Sequence, residues 1–349
     1  MISNLARGLL DKGFHVDIVL VKARGDHLAS IPKGVNVVSL GAKHTYTSLF
    51  KFSSYLKQSR PDAVLAAKDR AIKVAVLARI ISGTRFKLAG RMGTTVSAAL
   101  KGRGWFKKFL WYSSMRLFYR GVDRIIAVSQ GVADDVSGIT HLPPDRITVV
   151  RNPVWRPELA ERAARPAEHL WFGDPHIPVI LGAGRLTRQK DFPTLIRAFA
   201  RLRKQIPCKL IIMGEGNLRS ELEALAFELG IAEDFALPGF IANPYSFLSR
   251  SKLFVLSSAW EGSPNVLTEA LALGIPVVST NCPSGPVEIL EGGRYGKLVT
   301  IGDVGAMAEA MKETLNNPLK PEVLQRAVKE YTIETSTQAY LKALGLGYY

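Results

Sequence analysis

The sequence predicts an α/β protein built from two Rossmann-like domains with parallel sheets, and three observations lead to this fold class. Short apolar runs alternate with segments in which apolar residues recur every three or four positions, the pattern of strands followed by helices. The alternation occurs twice, and a proline-rich segment separates the two series. The length of 349 residues suits two domains. Strands that alternate with helices in this way form βαβ units, whose strands are parallel.

The first series predicts an N-terminal domain over residues 1–152. It opens with a helix that begins near Ile2, keeps its apolar residues on one face and ends at Gly13. Predicted strands cover 16–21, 35–38, 63–66, 86–89, 124–128 and 147–150, and further helices cover 49–58, 71–81, 104–120 and 132–136.

The second series predicts a C-terminal domain over residues 178–335, after a proline-rich linker over residues 153–177. Predicted strands cover 179–181, 209–213, 235–237, 253–256 and 277–279, with helices over 191–205, 217–229, 244–249, 265–273, 286–290, 304–315 and 321–332. We expect the last segment, residues 336–349, to pack back on the N-terminal domain through a short helix.

Composition and charge indicate a globular protein with one strongly basic half. With 47% hydrophobic and 22% charged residues the chain is globular. Cys208 and Cys282 lie too far apart in sequence to suggest a disulfide framework or a metal cluster. Residues 1–150 hold 24 Lys and Arg against nine Asp and no Glu, so they carry almost all of the net charge of +16. A basic excess confined to one half predicts an anionic partner there, either nucleic acid or an anionic membrane.

The segment with the clearest signs of a ligand site follows the predicted strand Leu253–Leu256. It is a polar loop carrying Glu261, then a helix with Glu269 one turn inside it. We expect Ser263 at the N-cap of this helix and Pro264 at its first position. A helix N-terminus binds anions, and carboxylates accept hydrogen bonds from hydroxyls, so a nucleotide sugar fits both features. The alternative is an ordinary strand-to-helix connection with two solvated charges.

Glycines and basic residues follow the neighbouring strands. Gly184 lets the backbone approach a ligand closely. The planar guanidinium of Arg185 can donate two hydrogen bonds to a diphosphate, and the ammonium of Lys190 adds a positive charge on a flexible side chain. Gly214–Gly216 and Pro238–Ile241 end the next two strands in the same way. In such sheets ligands bind beyond the carboxyl ends of the strands, so these segments predict one pocket. A glycine-rich turn with surface basic residues is the alternative.

Together these motifs resemble the nucleotide-sugar-binding domain of the retaining GT-B glycosyltransferases of family 4, the glycosyl transferases group 1. The matching segments are G-R-L-x-x-x-K-D at Gly184–Asp191, G-E-G at Gly214–Gly216, P-G-F at Pro238–Phe240, E-G-x-P-N-V-L-x-E-A at Glu261–Ala270, G-x-P-V-V-S-T at Gly274–Thr280, C-P-S-G-P-x-E-I-L at Cys282–Leu290 and G-R-Y-G at Gly293–Gly296.

The resemblance implies a GT-B architecture, two Rossmann-like domains facing across a cleft, with the donor site in the second. It implies that Arg185 and Lys190 bind the donor diphosphate and that Glu269 binds the ribose hydroxyls. Glu261 would hold the transferred sugar, and main-chain groups near Ile241 would face the base. The catalytic residues implied are Arg185, Lys190 and Glu261, and the donor-binding residues are Gly184, Arg185, Lys190, Gly214, Gly216, Phe240, Ile241, Glu261, Gly262, Ser263, Asn265, Val266, Leu267 and Glu269.

The N-terminal half resembles the family's acceptor domain more loosely, at Leu5–Leu9, Arg60–Asp62, Val122–Ser129 and Ile147–Pro153. The family begins with a strand and a Gly-rich loop before its first helix, whereas this sequence begins within that helix, so we expect both to be missing. Where the family often carries a catalytic His, this sequence has Gly90-Arg91-Met92-Gly93. Arg91 is the candidate substitute, with a surface arginine as the alternative.

The sequence has no D-x-D motif and no clustered His or Asp pair with metal-ligand spacing. We therefore expect no metal and no other cofactor. Arg185, Lys190 and a helix N-terminus would neutralise the departing diphosphate while the acceptor hydroxyl attacks the same face of the sugar. Glu261 would accept bonds from sugar hydroxyls, and a nucleophilic role is the alternative.

Residues 101–120 carry six basic residues and no acidic one, interleaved with aromatic side chains. This pattern is typical of a helix in a membrane interface, and the alternative places the aromatic residues in the core. We expect a cytoplasmic protein, peripheral on the inner face of the plasma membrane. Its acceptor would be a glycan or a polyprenyl-diphosphate-linked saccharide, and the residues assigned to acceptor and membrane are Arg91, Trp105, Lys107, Lys108 and Trp111.

The leading hypothesis is therefore a retaining hexosyltransferase that moves a hexose or N-acetylhexosamine from a UDP-sugar in cell-envelope polysaccharide or glycoconjugate synthesis. A catalytically silent sugar-nucleotide binder and a sugar-nucleotide epimerase are the alternatives. A nucleic-acid-binding protein is disfavoured, because the sequence has no basic recognition helix in a known motif and its second half is nearly neutral.

Overall fold

The computed structural model describes residues 1–23, 28, 30–156 and 158–347. The chain divides into two compact units. Unit 1 is Met1–Pro153 together with the C-terminal segment from Thr332, and unit 2 is Val154–Tyr331.

Unit 1 is a parallel α/β unit in which the strands Ala63–Ala67, Lys87–Met92, Arg124–Ala127 and Ile147–Val149 form one sheet in chain order. Two further strands, Asp17–Leu20 and Asn36–Ser39, form a separate two-stranded parallel sheet. Its elements are α1 (Ile2–Asp11), β1 (Asp17–Leu20), β2 (Asn36–Ser39), α2 (Leu49–Ser59), β3 (Ala63–Ala67), α3 (Asp69–Ser82), β4 (Lys87–Met92), α4 (Val96–Ala99), α5 (Trp105–Tyr119), β5 (Arg124–Ala127), α6 (Gln130–Thr140), β6 (Ile147–Val149) and the C-terminal helix α15 (Ile333–Leu344).

Helix α15 packs against α1 and covers one face of the sheet of unit 1. Gly8 on α1 makes this close approach possible, because a Cβ atom there would overlap the Thr337 side chain on α15. Tyr340 is fully buried in the small core formed by α1, α15 and the sheet. Arg91 at the end of β4 donates from Nε to the Tyr340 hydroxyl at 3.0 Å and from Nη2 to Asn152 Oδ1 at 2.7 Å. Arg91 thus ties the sheet to the C-terminal helix.

A buried ion pair within α3 contacts side chains of α5 on the other face of the sheet. Lys73, which is 6% exposed, contacts Asp69 Oδ2 and Ser114 Oγ, each at 2.8 Å. Its ammonium lies 5.5 Å from the centre of the Trp111 ring, and the Tyr119 hydroxyl donates to Asp69 Oδ1 at 3.1 Å. These contacts fix the C-terminal half of α5 in the core of unit 1.

Unit 2 is a doubly wound unit around a parallel sheet. Its elements are α7 (Glu158–Ala164), β7 (Val179–Ala183), α8 (Phe192–Arg203), β8 (Lys209–Met213), α9 (Arg219–Glu228), β9 (Phe235–Gly239), α10 (Pro244–Leu248), β10 (Leu253–Leu256), α11 (Asn265–Ala272), β11 (Val277–Thr280), α12 (Pro286–Ile289), β12 (Lys297–Val299), α13 (Val304–Asn316) and α14 (Pro321–Arg326). The strand order is β12-β11-β10-β7-β8-β9. The chain therefore winds outward from β7 in both directions, and the switch point lies between β7 and β10.

The two faces of this sheet bury separate apolar clusters because successive strand residues point to opposite sides. Ile180 and Leu210 belong to the cluster that also contains the buried residues of α8 and α13. Leu181 and Ile211 belong to the cluster that contains the buried residues of α11. The sheet is covered on both sides, as a parallel sheet requires.

The predicted α/β class and the parallel sheets are confirmed, but the sequence patterns missed three elements. Strand β12 has only three residues, and α4 only four, so neither is long enough to show a period. Helix α7 lies in the segment 153–177, for which we predicted a linker, and it belongs to unit 2. Prolines on both sides of this segment concealed a short run of good helix formers.

We predict that Arg91→Ala lowers the free energy of unfolding by about 1–3 kcal/mol, because it removes a charged hydrogen-bond donor from the buried Tyr340 hydroxyl. Urea unfolding followed by circular dichroism measures this change. Lys57→Ala, which removes one positive charge from an exposed position on α2, is the matched control. Equal stability of the two variants would show that the contacts of Arg91 contribute nothing measurable.

Candidate active site

The loops that follow β7 and β10 meet at the switch point of unit 2 and are joined by backbone and side-chain hydrogen bonds. Gln189 Nε2 donates to the Trp260 carbonyl at 3.0 Å, and the Ala259 N–H donates to the Gln189 carbonyl at 2.8 Å. Ser257 Oγ donates to the Lys190 carbonyl at 2.7 Å. Residues about 70 positions apart in sequence are thereby held in one rigid connection.

Lys190 and Glu261 form an ion pair at this connection. Lys190 Nζ lies 2.7 Å from Glu261 Oε1, and the two side chains are 16% and 10% exposed. Ser258, which is fully buried, donates a second hydrogen bond to the same carboxylate oxygen at 2.8 Å. The Ser258 carbonyl in turn accepts a bond from the Thr280 hydroxyl at 2.6 Å. The carboxylate of Glu261 is therefore oriented by two donors from different loops.

This arrangement places a cation and an anion side by side in a site that is largely shielded from water. An ammonium has three N–H donors, so Lys190 retains donors beyond the one that it gives to Glu261. Burial and the charge of Glu261 raise the pKa of the Cys282 thiol to about 12. The thiol is thus neutral at physiological pH.

The glycines of the motifs let three loops pack closely against one another. A Cβ atom on Gly214 would overlap the Gly184 carbonyl, and one on Gly216 would overlap the Leu186 carbonyl. A Cβ atom on Gly184 would lie 2.6 Å from Cε of Lys190. Gly184 and Gly214 also have φ values of 151° and 135°, which residues with a side chain rarely adopt. Gly184 thus leaves room for the Lys190 side chain, and Gly214 and Gly216 leave room for the backbone of the loop after β7.

Helix α11 begins at the predicted residue 265, but its N-cap lies one residue later than predicted. Its first residue is Asn265, and Pro264 rather than Ser263 occupies the N-cap, without a side-chain capping bond. The Leu267 N–H donates to the Pro264 carbonyl at 3.1 Å, so this amide is already engaged. The Gly262 carbonyl accepts from Ser284 Oγ and from the Gly285 N–H. The loop between Glu261 and α11 is thus held by the segment that follows β11.

Glu269 lies one turn inside α11 and contacts α10. The Tyr245 hydroxyl donates to Glu269 Oε1 at 3.3 Å. Burial raises the pKa of the Glu269 carboxyl, while the hydrogen bond from Tyr245 and the charges of Arg162 and Arg156 act in the opposite direction. Burial and the Glu269 charge also raise the pKa of Tyr245.

The remaining predicted donor residues line the same edge of the sheet. Arg185 is exposed in the loop after β7, Phe240 is 57% exposed after β9, and Ile241 is half-buried beside it. Val266 is half-buried in the first turn of α11. The structure thus brings Lys190 and Glu261 into contact and places the other predicted residues either on loops at the carboxyl ends of neighbouring strands or in the first turns of α11. Within the described ranges, no three His, Cys, Asp or Glu side chains lie together as metal ligands would.

In unit 1 the predicted acceptor and membrane residues fall into two environments. Arg91 and Trp111 pack inward, Arg91 against Tyr340 and Trp111 against Lys73 and the core. Trp105 is 77% exposed in the first turn of α5, next to the exposed Lys107. Lys108 is half-buried. Among the described helices none is long and apolar enough to cross a membrane.

Several residues of the site carried no sequence signal of their function. Ser258 lies inside the stretch that we singled out, but nothing in its spacing indicated a bond to Glu261. Tyr245 and Arg162 belong to a short helix and to a predicted linker, respectively. A buried partner for each predicted carboxylate could have been anticipated in general, because buried charges are paired or hydrogen-bonded.

Both halves of the chain match known glycosyltransferase families. The family model described as glycosyl transferases group 1 matches residues 171–332, and the model described as glycosyltransferase family 4 matches residues 1–154. An uncharacterized glycosyltransferase of Methanocaldococcus jannaschii is 31% identical over 249 residues, which are 69% of this chain and 61% of that protein. The chain thus spans less than two thirds of this relative's length.

Two further similarities extend along the chain. A Campylobacter jejuni protein named N-acetylgalactosamine-N,N'-diacetylbacillosaminyl-diphospho-undecaprenol 4-alpha-N-acetylgalactosaminyltransferase is 30% identical over 270 residues, 76% of this chain and 70% of that protein. The solved structure of HepE from Anabaena in complex with UDP and glucose superposes with a TM-score of 0.80 at 18% identity, covering 99% of this chain and 94% of that one. The chain therefore belongs to the group 1 glycosyltransferases and has their GT-B fold.

Proposed function

We propose that the protein transfers a hexose or N-acetylhexosamine from a UDP-sugar to a glycan or lipid-linked saccharide, with retention of the anomeric configuration. The observation that carries this proposal is the Lys190–Glu261 pair at the switch point, held by Ser258. A nucleotide sugar needs a cation for its diphosphate and a carboxylate for its sugar hydroxyls within a few ångströms of each other. The HepE complex, which contains UDP and glucose, supports a ligand of this chemistry in the same fold.

In the proposed reaction Lys190 and the exposed Arg185 stabilise the charge that develops on the departing diphosphate. The bond between the anomeric carbon and the diphosphate oxygen breaks, and the acceptor oxygen bonds to that carbon on the same face. The acceptor proton passes to the departing diphosphate. Glu261 accepts hydrogen bonds from the transferred sugar, and Glu269 accepts them from the ribose. Because Glu261 is fixed by two donors, it orients the sugar before the reaction.

We also propose that the reaction needs no metal ion or other cofactor. Arg185, Lys190 and the N-terminus of α11 supply positive charge where the diphosphate would lie. Two side-chain cations and a helix dipole can neutralise much of the charge of a leaving UDP.

The acceptor is proposed to be a glycan or a polyprenyl-diphosphate-linked saccharide at an anionic membrane. The Campylobacter relative is named for a diphospho-undecaprenol acceptor. In this chain the first two turns of α5 expose Trp105, Phe106, Phe109 and Leu110. Exposed Lys101, Arg103 and Lys107 flank them. Aromatic side chains that enter the interface and lysines that meet lipid phosphates favour a bilayer as the surface that covers this part of α5.

We predict that Arg185→Ala and Lys190→Ala each lower kcat for a UDP-sugar by more than about 10²-fold, as expected when a transition-state donor is lost. Steady-state kinetics with UDP-hexoses and UDP-N-acetylhexosamines measures this effect. Arg185 is the cleaner test because it is exposed, whereas loss of Lys190 also leaves Glu261 buried without its counter-charge.

Arg188→Ala is the matched control, since Arg188 is an exposed arginine of the same loop. Near-normal turnover in both the Arg185 and Lys190 variants would refute the assigned roles. A wild-type protein that binds UDP but turns over no UDP-sugar would instead identify a silent sugar-nucleotide binder.

Chelation tests the proposal of metal independence. Turnover in excess EDTA is expected to match turnover in Mg²⁺ or Mn²⁺ within about twofold, because side-chain cations supply the charge that a metal would provide. A loss of activity on chelation that is restored by one of these ions would contradict it.

Membrane binding is tested by flotation with vesicles. Wild-type protein is expected to float with phosphatidylcholine vesicles that contain phosphatidylglycerol and to remain behind with phosphatidylcholine alone. The Trp105→Ser/Phe106→Ser variant should lose most of this binding. Phe227→Ser, at an equally exposed aromatic residue of α9 in unit 2, is the control and should bind normally. Equal recovery of wild-type protein with both vesicle types would refute the proposal.

A further inference from the structure

We infer that Tyr245 is a positioning residue for Glu269 and thereby sets how strongly the protein binds the ribose of its donor nucleotide. The inference rests on the proposed function, because it deepens the role of Glu269 in that site. Tyr245 lies outside the glycosyltransferase motifs. The inference also gives a role to helix α7, which carries Arg162 and lies in the segment predicted to be a linker.

The first step is the contact itself. Tyr245 lies on α10 and Glu269 on α11, and the Tyr245 hydroxyl donates to Glu269 Oε1 at 3.3 Å. Among the side chains that the structure describes, Tyr245 is the one that donates to this carboxylate. A glutamate side chain has three rotatable bonds, so one fixed hydrogen bond removes much of its freedom. With Oε1 held by Tyr245, Oε2 can accept bonds from the vicinal hydroxyls of a ribose.

The second step is what holds Tyr245. The Arg162 guanidinium on α7 lies 4.6 Å from the centre of the Tyr245 ring. Arg162 Nη2 also donates to the Ala242 carbonyl at 3.0 Å, and Asn243 Nδ2 donates back to the Arg162 carbonyl at 2.8 Å. Helix α7 is therefore fastened to the segment that leads into α10 by reciprocal bonds, with its cation against the ring.

The third step concerns charge. Burial makes ionisation of Glu269 unfavourable, and the hydrogen bond from Tyr245 together with the positive charges of Arg162 and Arg156 offsets part of this effect. Arg162 therefore acts on both members of the pair, through a cation–π contact with Tyr245 and through its charge on Glu269. The group Arg162–Tyr245–Glu269 therefore holds the carboxyl group in one orientation, which an acceptor of hydrogen bonds from ribose hydroxyls requires.

Loss of the Tyr245 hydroxyl should therefore affect KM and Kd differently from kcat. Glu269 contacts a part of the donor that does not react, so its orientation affects binding of the nucleotide more than the chemical step. Loss of one hydrogen bond of ordinary strength lowers affinity by up to about tenfold. Loss of the Tyr245 hydroxyl should therefore raise KM for the UDP-sugar and Kd for UDP, with kcat almost unchanged.

The experiment compares Tyr245→Phe with wild-type protein, using UDP and 2',3'-dideoxy-UDP as probes in calorimetry. Tyr245→Phe keeps the ring and its contact with Arg162 but removes the donor to Glu269. We expect wild-type protein to bind UDP more tightly than 2',3'-dideoxy-UDP. In the variant UDP should bind about three- to tenfold more weakly while binding of 2',3'-dideoxy-UDP stays the same, so the preference for the ribose hydroxyls shrinks. The kcat of the variant should stay within about twofold of wild type.

Tyr295→Phe is the matched control, because Tyr295 is a buried tyrosine of the same unit that packs with Arg294. It should leave both affinities unchanged. Equal weakening of UDP and 2',3'-dideoxy-UDP by Tyr245→Phe would overturn the inference, since it would indicate a general structural role. An unchanged preference for UDP would also overturn it. Failure of wild-type protein to bind UDP would instead refute the proposed function.

Discussion

The candidate site depends on one buried ion pair, the contact between Lys190 and Glu261. Such pairs add little net stability, because the cost of removing two charges from water offsets most of their attraction. Ser258 lowers that cost by donating a second bond to the carboxylate, and Thr280 fixes Ser258 in turn. The ion pair contributes little to stability, yet Ser258 and Thr280 hold it in place. We therefore explain it by the orientation that it gives to the carboxylate and the ammonium.

The order of strands in unit 2 makes this pair possible. Because the chain winds outward from β7 in both directions, the loops after β7 and β10 become neighbours although β8 and β9 separate them in sequence. The loops are then drawn together by Gln189 and Ser257, which bond to backbone carbonyls of the opposite loop. Gly184 and Gly214 allow this contact because they lack a side chain. A side chain at either position would overlap its neighbours. Topology brings the loops together, and the glycines allow contact.

Sequence patterns predicted most of the fold and selected the principal residues of the candidate site, because both depend on local features. Periodicity identifies strands and helices, and Glu261 and Glu269 stand out since they flank the start of a helix. The patterns could not predict the partners of these carboxylates, because Tyr245 and Lys190 reach them through tertiary packing and the local bond of Ser258 depends on the conformation of its loop. They also could not show that α7 packs on α10, since a short helix between prolines resembles a linker in composition. Conversely, Arg91 was singled out by its position, yet its contacts with Tyr340 and Asn152 give it a structural task.

Helix α5 shows how one basic and aromatic segment can serve two environments. The alternative that places the aromatic residues in the core applies to the second half of the helix, whereas the membrane interface stays a prediction for the first half. In the second half Trp111, Met115 and Tyr119 face the core, where Lys73 and Asp69 form the ion pair that anchors the helix. In the first half Trp105, Phe106, Phe109 and Leu110 remain exposed among basic residues. Exposing several large apolar side chains on one short stretch is costly in water, and such a concentration is typical of interaction surfaces. The buried half holds the exposed half in a fixed orientation, so any surface that binds it also orients unit 1.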